Sequence, residues 1–403
     1  MLTDNGHLTY CTNIHAGESW PDHFAALKRL FPLIKNGVSP ANPMAIGLRL
    51  SHIASLELIK KENLSEFRHW LEEASAYVFT MNGFPYGGFH NTRVKDQVHA
   101  PDWTTTERVD YSIRLFDILK ELLPDGMDGG VSTSPLSYRY WWQTAGDLKK
   151  ATELATENII KVVEHLIAIE QKSGRILHLD IEPEPDGILE TGAEFIHWFE
   201  NWLIPLGVKS IVQNYSLSED EAEHALKQHI RLCYDVCHFA IGYEPHEKVI
   251  NQLEQNGLKI GKFQISAALK AGIPQRGPKI ELAAAFEKFN ESTYLHQVVA
   301  RKNDGSVIRY RDLPNALPDI NHEGVVEWRA HFHVPVFTQY PGLVKSTQDD
   351  IVEVLNIHKK TNLTSHLEVE TYTWEVLPEE SKLPIEESII RELLWVKGQL
   401  GFT

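Results

Sequence analysis

Apolar residues recur along this chain in two alternating rhythms. Short runs rich in β-branched and aromatic residues, several with a period of two, are followed by longer stretches in which apolar positions return every three or four residues. Runs at 7–14, 45–50, 76–82, 129–134, 175–182, 231–236, 259–265 and 365–371 predict strands. Stretches at 22–34, 56–74, 104–123, 148–172, 191–203, 219–228, 245–255, 279–289 and 385–400 predict helices. Within 56–74, Leu58, Ile59, Leu64, Phe67 and Leu71 fall at helical spacing. The run SLSEDEAEHA sets a capping serine, Ser216, and early acids ahead of the helix at 219–228. Strand followed by helix, repeated, implies a parallel sheet with right-handed crossovers. Eight such units predict an α/β fold, a closed (β/α)8 TIM barrel, with 1–403 forming one domain.

Between the predicted seventh and eighth strands lies an excess of about a hundred residues. Part of it, YLHQVVARKNDGSVIRYRDL, alternates on either side of Asn303-Asp304-Gly305 and predicts a β-hairpin. The run RAHFHVPVF at 329–337 is also strand-like. We read 290–340 as an insertion at the mouth of the barrel, with a competing count in which 329–337 is itself a barrel strand.

Composition narrows the class. With 403 residues and 42% hydrophobic content the chain can bury a large core. A net charge of −16 argues against sequence-independent binding to phosphate backbones, so no nucleic-acid partner is expected. Three cysteines, Cys11, Cys233 and Cys237, are too few and odd in number for a disulfide framework. The first residues carry no basic segment followed by an apolar run, and no stretch approaches about 18 consecutive apolar residues. The expectation is a cytoplasmic protein without direct membrane insertion.

Candidate chemistry sits where a barrel enzyme carries it, at the C-terminal ends of the strands. RILHLDIEPEPDG, 175–187, places His178, Asp180, Glu182 and Glu184 on one face before two prolines end the ladder. Of these, Glu182 is the strongest candidate for chemistry, with His178 and Asp180 deeper in the barrel. The next predicted strand ends in Asp235-x-x-His238, a turn that aims both side chains at one point. Gln264 closes the seventh, and Glu368 and Glu370 share a face on the last. His15, Asn82, His238, the pair His331 and His333, and Glu370 form a set of candidate substrate contacts. His52, His90 and His99 read as structural or surface residues. Carboxylates with neutral imidazoles suit a divalent cation, Mn²⁺, Mg²⁺, Zn²⁺ or Fe²⁺. There is no dinucleotide-binding glycine pattern, no P-loop and no GxSxG.

Glu182, Asp235-x-x-His238 and Glu368 in this order resemble the xylose-isomerase-like TIM barrels, which include sugar isomerases, sugar 3-epimerases and endonuclease IV-type enzymes. The resemblance implies one divalent metal held by Glu182, Asp235, Glu368 and the strand-seven position. That position is histidine in the family and Gln264 here. It further implies that Glu182 and Glu368 act as the acid/base pair and that His238 contacts substrate. More narrowly, HLTYCTNIHAGESW, FTMNGFPYGGFH, LDIEPEPDG, YDVCH, HFHVPVF and LEVETYTWEVLP together resemble the EboE family of metabolite traffic proteins. That likeness spans nearly the whole chain. It implies a small metabolite precursor as partner, and a functional link to a membrane prenyltransferase-like protein. Two activities follow as expectations: a metal-dependent isomerase, epimerase or lyase, or a carrier that kept the barrel and lost catalysis. DNA-end processing of the endonuclease IV kind is disfavoured by the charge.

Overall fold

The structure is a computed structural model that describes residues 1–88, 94–274, 276–277, 279–339, 342–373 and 384–401. In chain order its strands begin with β1 (Leu2–Thr3), β2 (Gly6–Tyr10), β3 (Met44–Arg49), β4 (Ala76–Asn82) and β5 (Gly129–Thr133). They continue with β6 (Leu177–Ile181), β7 (Ile230–Asp235) and β8 (Ile260–Ile265). After these come β9 (Ala267–Gly272), β10 (Val298–Lys302), β11 (Val307–Tyr310), β12 (Val325–Val334), β13 (Lys345–Ser346) and β14 (His366–Val369).

Nine strands form one sheet in the order β1-β2-β14-β8-β7-β6-β5-β4-β3. Every pairing is parallel except the short antiparallel β1–β2 ribbon. A parallel bridge between Cys11 and Gly47 draws the two ends of the sheet together, so the barrel is nearly closed. Helices fill the crossovers, because parallel neighbours need a long return and both faces of such a sheet need cover. The longest, Ala145–Ser173, opens on a Thr144 cap and ends on Gly174, whose φ of 71° accepts the left-handed turn.

Some helices differ from the periodicity. The stretch predicted at 191–203 continues through a π-helical turn at Phe199–Leu203 to Tyr215. Ser216 then ends that helix in a left-handed turn, and Ser218, paired with Glu221 in a capping box, starts the next. A helix at Gln348–Thr361, absent from the sequence reading, provides the crossover into β14.

A second, antiparallel sheet runs β11-β10-β12-β9-β13. Val298–Lys302 and Val307–Tyr310 pair around Asn303-Asp304-Gly305. The segment expected at 329–337 lies in this sheet as β12, not among the barrel strands. The sheet starts with β9, one residue beyond the end of β8, so it takes strands from both sides of the 290–340 stretch.

The barrel interior is unusually polar. Lys262 Nζ meets Glu368 Oε2 at 2.5 Å, both side chains fully buried. Burial alone would lower the Lys262 pKa, but the Glu368 carboxylate outweighs it and holds the ammonium charged. Glu368 fits only because position 47 is glycine: a Cβ there would lie 1.9 Å from Glu368 Oε1. Gly261 makes the same allowance for Asp180, whose Oδ1 would be 1.8 Å from an added Cβ. All three cysteines are buried and free.

Candidate active site

Three carboxylates from three strands converge at the C-terminal mouth. Glu182 follows β6, Asp235 ends β7 and Glu370 follows β14; each offers an oxygen within 4.8 Å of the others. All three are buried. Their supports differ. Glu370 Oε1 accepts from Asn13 Nδ2 at 2.7 Å and Asn82 Nδ2 at 2.9 Å, and its Oε2 accepts from Gln264 Nε2. Asp235 Oδ1 accepts from Ser266 Oγ at 2.7 Å and from the His238 backbone N–H at 3.1 Å, capping the helix Val236–Ile241. This is the physical content of the D-x-x-H spacing: the acid caps the turn that carries the imidazole. Glu182 is held more loosely, by a 3.4 Å contact from Gln264 Nε2. Glu182 Oε2 and Asp235 Oδ2 accept no hydrogen bond among the described residues.

Three imidazoles line the other wall. His238 comes from the β7 turn, and His331 and His333 share a face of β12, which the second sheet lays over the mouth. The Nδ1 of His238 faces the Pro183 carbonyl at 3.1 Å, so it carries the proton. Gln297 donates its amide to the Pro185 carbonyl, which turns its Oε1 toward His331 Nδ1 at 2.9 Å. With both Nδ1 hydrogens committed, the Nε2 atoms of His238 and His331 face each other at 3.2 Å as lone pairs. A shared proton or a cation resolves that contact. His333 sets its Nδ1 3.3 Å from the Glu370 carbonyl, and its Nε2 lies 4.0 Å from Asp235 Oδ2.

Electrostatics follow from burial. Desolvation, then the charges of Glu370 and Asp235, push the Glu182 carboxyl well above the usual carboxylate range. Desolvation raises Asp235 to about 7. Desolvation and the Asp235 charge raise Glu370 to about 8. Burial lowers His333 to about 3 and carries His238 and His331 well below their ordinary value, so all three are neutral and able to act as ligands.

These shifts predict a pH response. A carboxyl whose folded pKa is raised binds its proton more tightly when folded, so its contribution is lost as pH rises from the unfolded value toward the folded one. The depressed histidines act oppositely, but only below about pH 6.5, where they would protonate on unfolding. From pH 6.5 to 8 the carboxyls dominate. Metal-stripped protein is therefore expected to lose thermal stability over this window. Added Mn²⁺ should remove the decline, and Glu370→Gln should lessen it. Thermal melts across the window check this; a metal-stripped protein that gains stability as pH rises would contradict it.

The cavity enclosed by these groups is about 60 Å³. Its lining includes Asn82, Glu182, His238, His331, His333 and Glu370, all read from the sequence as site residues, with Asp235 and Gln264 against the same carboxylates. Three expectations are corrected. Glu368 points into the depth of the barrel against Lys262, and Glu370, two residues on and one layer nearer the mouth, is the acid that meets Glu182 and Asp235. Gln264 turns its amide nitrogen toward the carboxylates, while its oxygen accepts from the Cys233 thiol at 3.0 Å; it braces the acids and does not offer them a ligand oxygen. His15 is buried against Tyr10, with its Nε2 3.1 Å from the Tyr10 hydroxyl, and does not line the cavity. His90 and the end of the LEVETYTWEVLP motif, 374–378, lie outside the described residues.

The sequence reading left several lining residues without a role. Asn13 stands at a strand end and grips Glu370. His99, read as structural, lies 2.8 Å from Glu184, so the pair forms the outer rim. Gln297 comes from the residue just ahead of β10 and Tyr372 from the tail of β14. Asn13 was accessible from its position two residues before His15; Gln297 was not, because nothing local in a hairpin shows what it covers.

No family profile matches the chain, and no curated protein matches it. Solved structures resemble it in overall shape. A xylose isomerase-like TIM barrel protein from Mycobacterium smegmatis, in complex with magnesium, is 10% identical over 96% of this chain and 90% of its own, with a TM-score of 0.48. The IOLI protein with a bound zinc atom is 14% identical over 98% of each chain, with a TM-score of 0.47. A D-allulose 3-epimerase from Methylomonas sp., in complex with D-allulose, is 10% identical over 98% of this chain and 96% of its own, at 0.44.

Among the described residues, no helix is long and apolar enough to cross a membrane.

Proposed function

We propose that this chain is a divalent-cation-dependent isomerase, epimerase or lyase acting on a small polyhydroxylated or cyclic metabolite. The observation that carries the reading is the meeting of Glu182, Asp235 and Glu370 in a buried site. Three carboxylates this close cannot all be charged without a compensating cation. The residues fit one: Glu182 Oε2 and Asp235 Oδ2 have no donor among the described residues, and His333 Nε2 is a neutral, unpartnered imidazole nitrogen beside them. Glu182, Asp235, Glu370 and His333 would hold the ion, with His333 supplying the nitrogen that Gln264 cannot. A bound divalent cation supplies Lewis-acid stabilisation of negative charge developing on a substrate oxygen.

The chain's own residues divide the remaining work. Asn13, Asn82 and Gln264 fix Glu370, which makes it the positioned carboxylate. Glu182, held only by the 3.4 Å contact from Gln264, is suited to take a proton from a carbon beside a carbonyl and to return it. His238, anchored through Nδ1 to Pro183, keeps an Nε2 lone pair beside His331 that would accept from a substrate hydroxyl. The outer pair His99–Glu184 bounds the site. Lys95, Val98 and His99 on one side and Tyr294, Leu295 and Gln297 on the other line the cavity through which a substrate would reach the acids. The resemblance to EboE adds the expectation that the metabolite is a precursor in a biosynthesis or export pathway linked to a membrane prenyltransferase-like protein.

The test is proton exchange. Protein loaded with Mn²⁺ and incubated with a panel of ketoses, aldoses and cyclic polyols in deuterated buffer should place deuterium at a carbon next to a carbonyl in at least one class, read by NMR. Gln264, bracing the acids through its amide, favours a second reading in which the barrel binds such a metabolite without turning it over. Tight binding with no exchange at any carbon would select that carrier reading over the enzyme.

A further inference from the structure

The opposite mouth of the barrel carries a second convergence that the chemistry above leaves unused. His178 in β6, His366 at the start of β14 and Asp128, just ahead of β5, bring ligand atoms within 4.8 Å of one another. His178 is fully buried, and its Nδ1 lies 2.6 Å from Asp180 Oδ1. A carboxylate on Nδ1 places the proton there and leaves Nε2 as a lone pair. That Nε2 has no hydrogen-bond partner among the described residues and points at Asp128 Oδ2, 3.6 Å away. His366, 1% exposed, has its Nε2 3.3 Å from Asp128 Oδ1. The two imidazole rings lie 5.1 Å apart.

We infer that this cluster is a divalent-metal site for an ion of the zinc type, separate from the mouth that holds Glu182. A tetrahedral ion with ligands at about 2.0–2.1 Å sets neighbouring ligand atoms roughly 3.3–3.4 Å apart. His366 Nε2 lies 3.3 Å from Asp128 Oδ1 and His178 Nε2 lies 3.6 Å from Asp128 Oδ2, so each imidazole approaches that edge with its own oxygen of the carboxylate. The donor set, two imidazoles and a carboxylate, is one that zinc takes with a fourth position left to water. The surroundings also have the form of an outer shell. Asp180 orients His178 from behind, and Arg231 Nη1 donates to Asp128 Oδ2 at 2.7 Å, as ligating carboxylates are commonly held. Without an ion, Asp128 and Arg231 remain an ordinary ion pair while the His178 lone pair has no donor. The site would tie three barrel strands together at the end away from the chemistry. Asp128 is 29% exposed, so the ion can reach it from solvent.

The experiment uses the full chain and Zn²⁺ itself. Protein loaded with Zn²⁺ and desalted is counted for metal as wild type, as Glu182→Gln/Glu370→Gln, and as each of these with His366→Gln. The double variant should retain about one ion per chain, and adding His366→Gln should remove it. If the Glu182 mouth holds no metal at all, the wild type should still lose its ion on His366→Gln, so the two sites fail separately. Asp180→Asn, which keeps the shape but weakens the hold on His178, should lower zinc affinity by about 10–100-fold. If His366→Gln fails to fold, the partly exposed Asp128→Asn makes the same distinction. Zinc content unchanged by both ligand substitutions, or no zinc-edge anomalous density between His178 and His366, would overturn the assignment.

Discussion

Replacing Glu182 with glutamine is expected to be one of the two single exchanges at the mouth that cost divalent-cation binding most. The substitution keeps volume and removes the charge of an acid whose Oε2, like Asp235 Oδ2, has no donor among the described residues. Losing an outer partner of a metal ligand costs about 10–100-fold in affinity, so losing a ligand should exceed that, a penalty above roughly 2.8 kcal/mol. Asp235→Asn should behave alike. Asn13→Ala removes only a donor to Glu370 and should fall within the 10–100-fold range. Calorimetric titration of each metal-stripped variant with Mn²⁺ gives the ranking. Equal affinities for wild type and Glu182→Gln would remove Glu182 from the ligand set, and proton exchange could then not be assigned to a metal-assisted site around it.

The second large effect concerns stability. Lys262→Met leaves the Glu368 carboxylate buried without its cation. Removing one partner of a buried ion pair costs about 3–5 kcal/mol, whereas replacing both with apolar residues of similar volume is often neutral or better. The single variant should therefore unfold at markedly lower denaturant, and Lys262→Met/Glu368→Met should recover most of the loss. Mn²⁺ affinity of the double variant should stay close to wild type, because Glu368 lies below the cluster of Glu182, Asp235 and Glu370. Denaturant unfolding and the same titration read both. A double variant no more stable than the single would count against the buried pair; one that no longer binds Mn²⁺ would return Glu368 to the site.

That last distinction shows where sequence reasoning stopped. The alternation of strands and helices was legible because each barrel strand is a short apolar run bounded by polar turns. The strand ends were legible because a parallel barrel sets the C-terminal ends of its strands around one mouth, and Glu182, Asp235 and His238 were read as candidates on that ground. Glu368 and Glu370 share a face, so period-two reasoning cannot choose between them. The choice depends on how deep each layer sits, which is set across the barrel by Lys262 and the missing side chain of Gly47. Gln264 likewise sits at the expected position with its amide turned by Cys233, a neighbour 31 residues away. The role of His331 and His333 was half visible: alternation put them on one face, but only the packing of the second sheet shows that the face covers the mouth. His15 failed because the chain leaves β2 into a 3-10 turn, Thr12–Ile14, which turns Asn13 to the cavity and His15 toward Tyr10.

The most direct test of the account is crystallographic. Crystals of the full chain soaked in Mn²⁺ and measured at the manganese edge should show one strong anomalous peak enclosed by Glu182, Asp235 and Glu370, within bonding distance of His333 Nε2. A map with no peak among those three carboxylates, at a concentration where solution titration is saturated, would contradict the account.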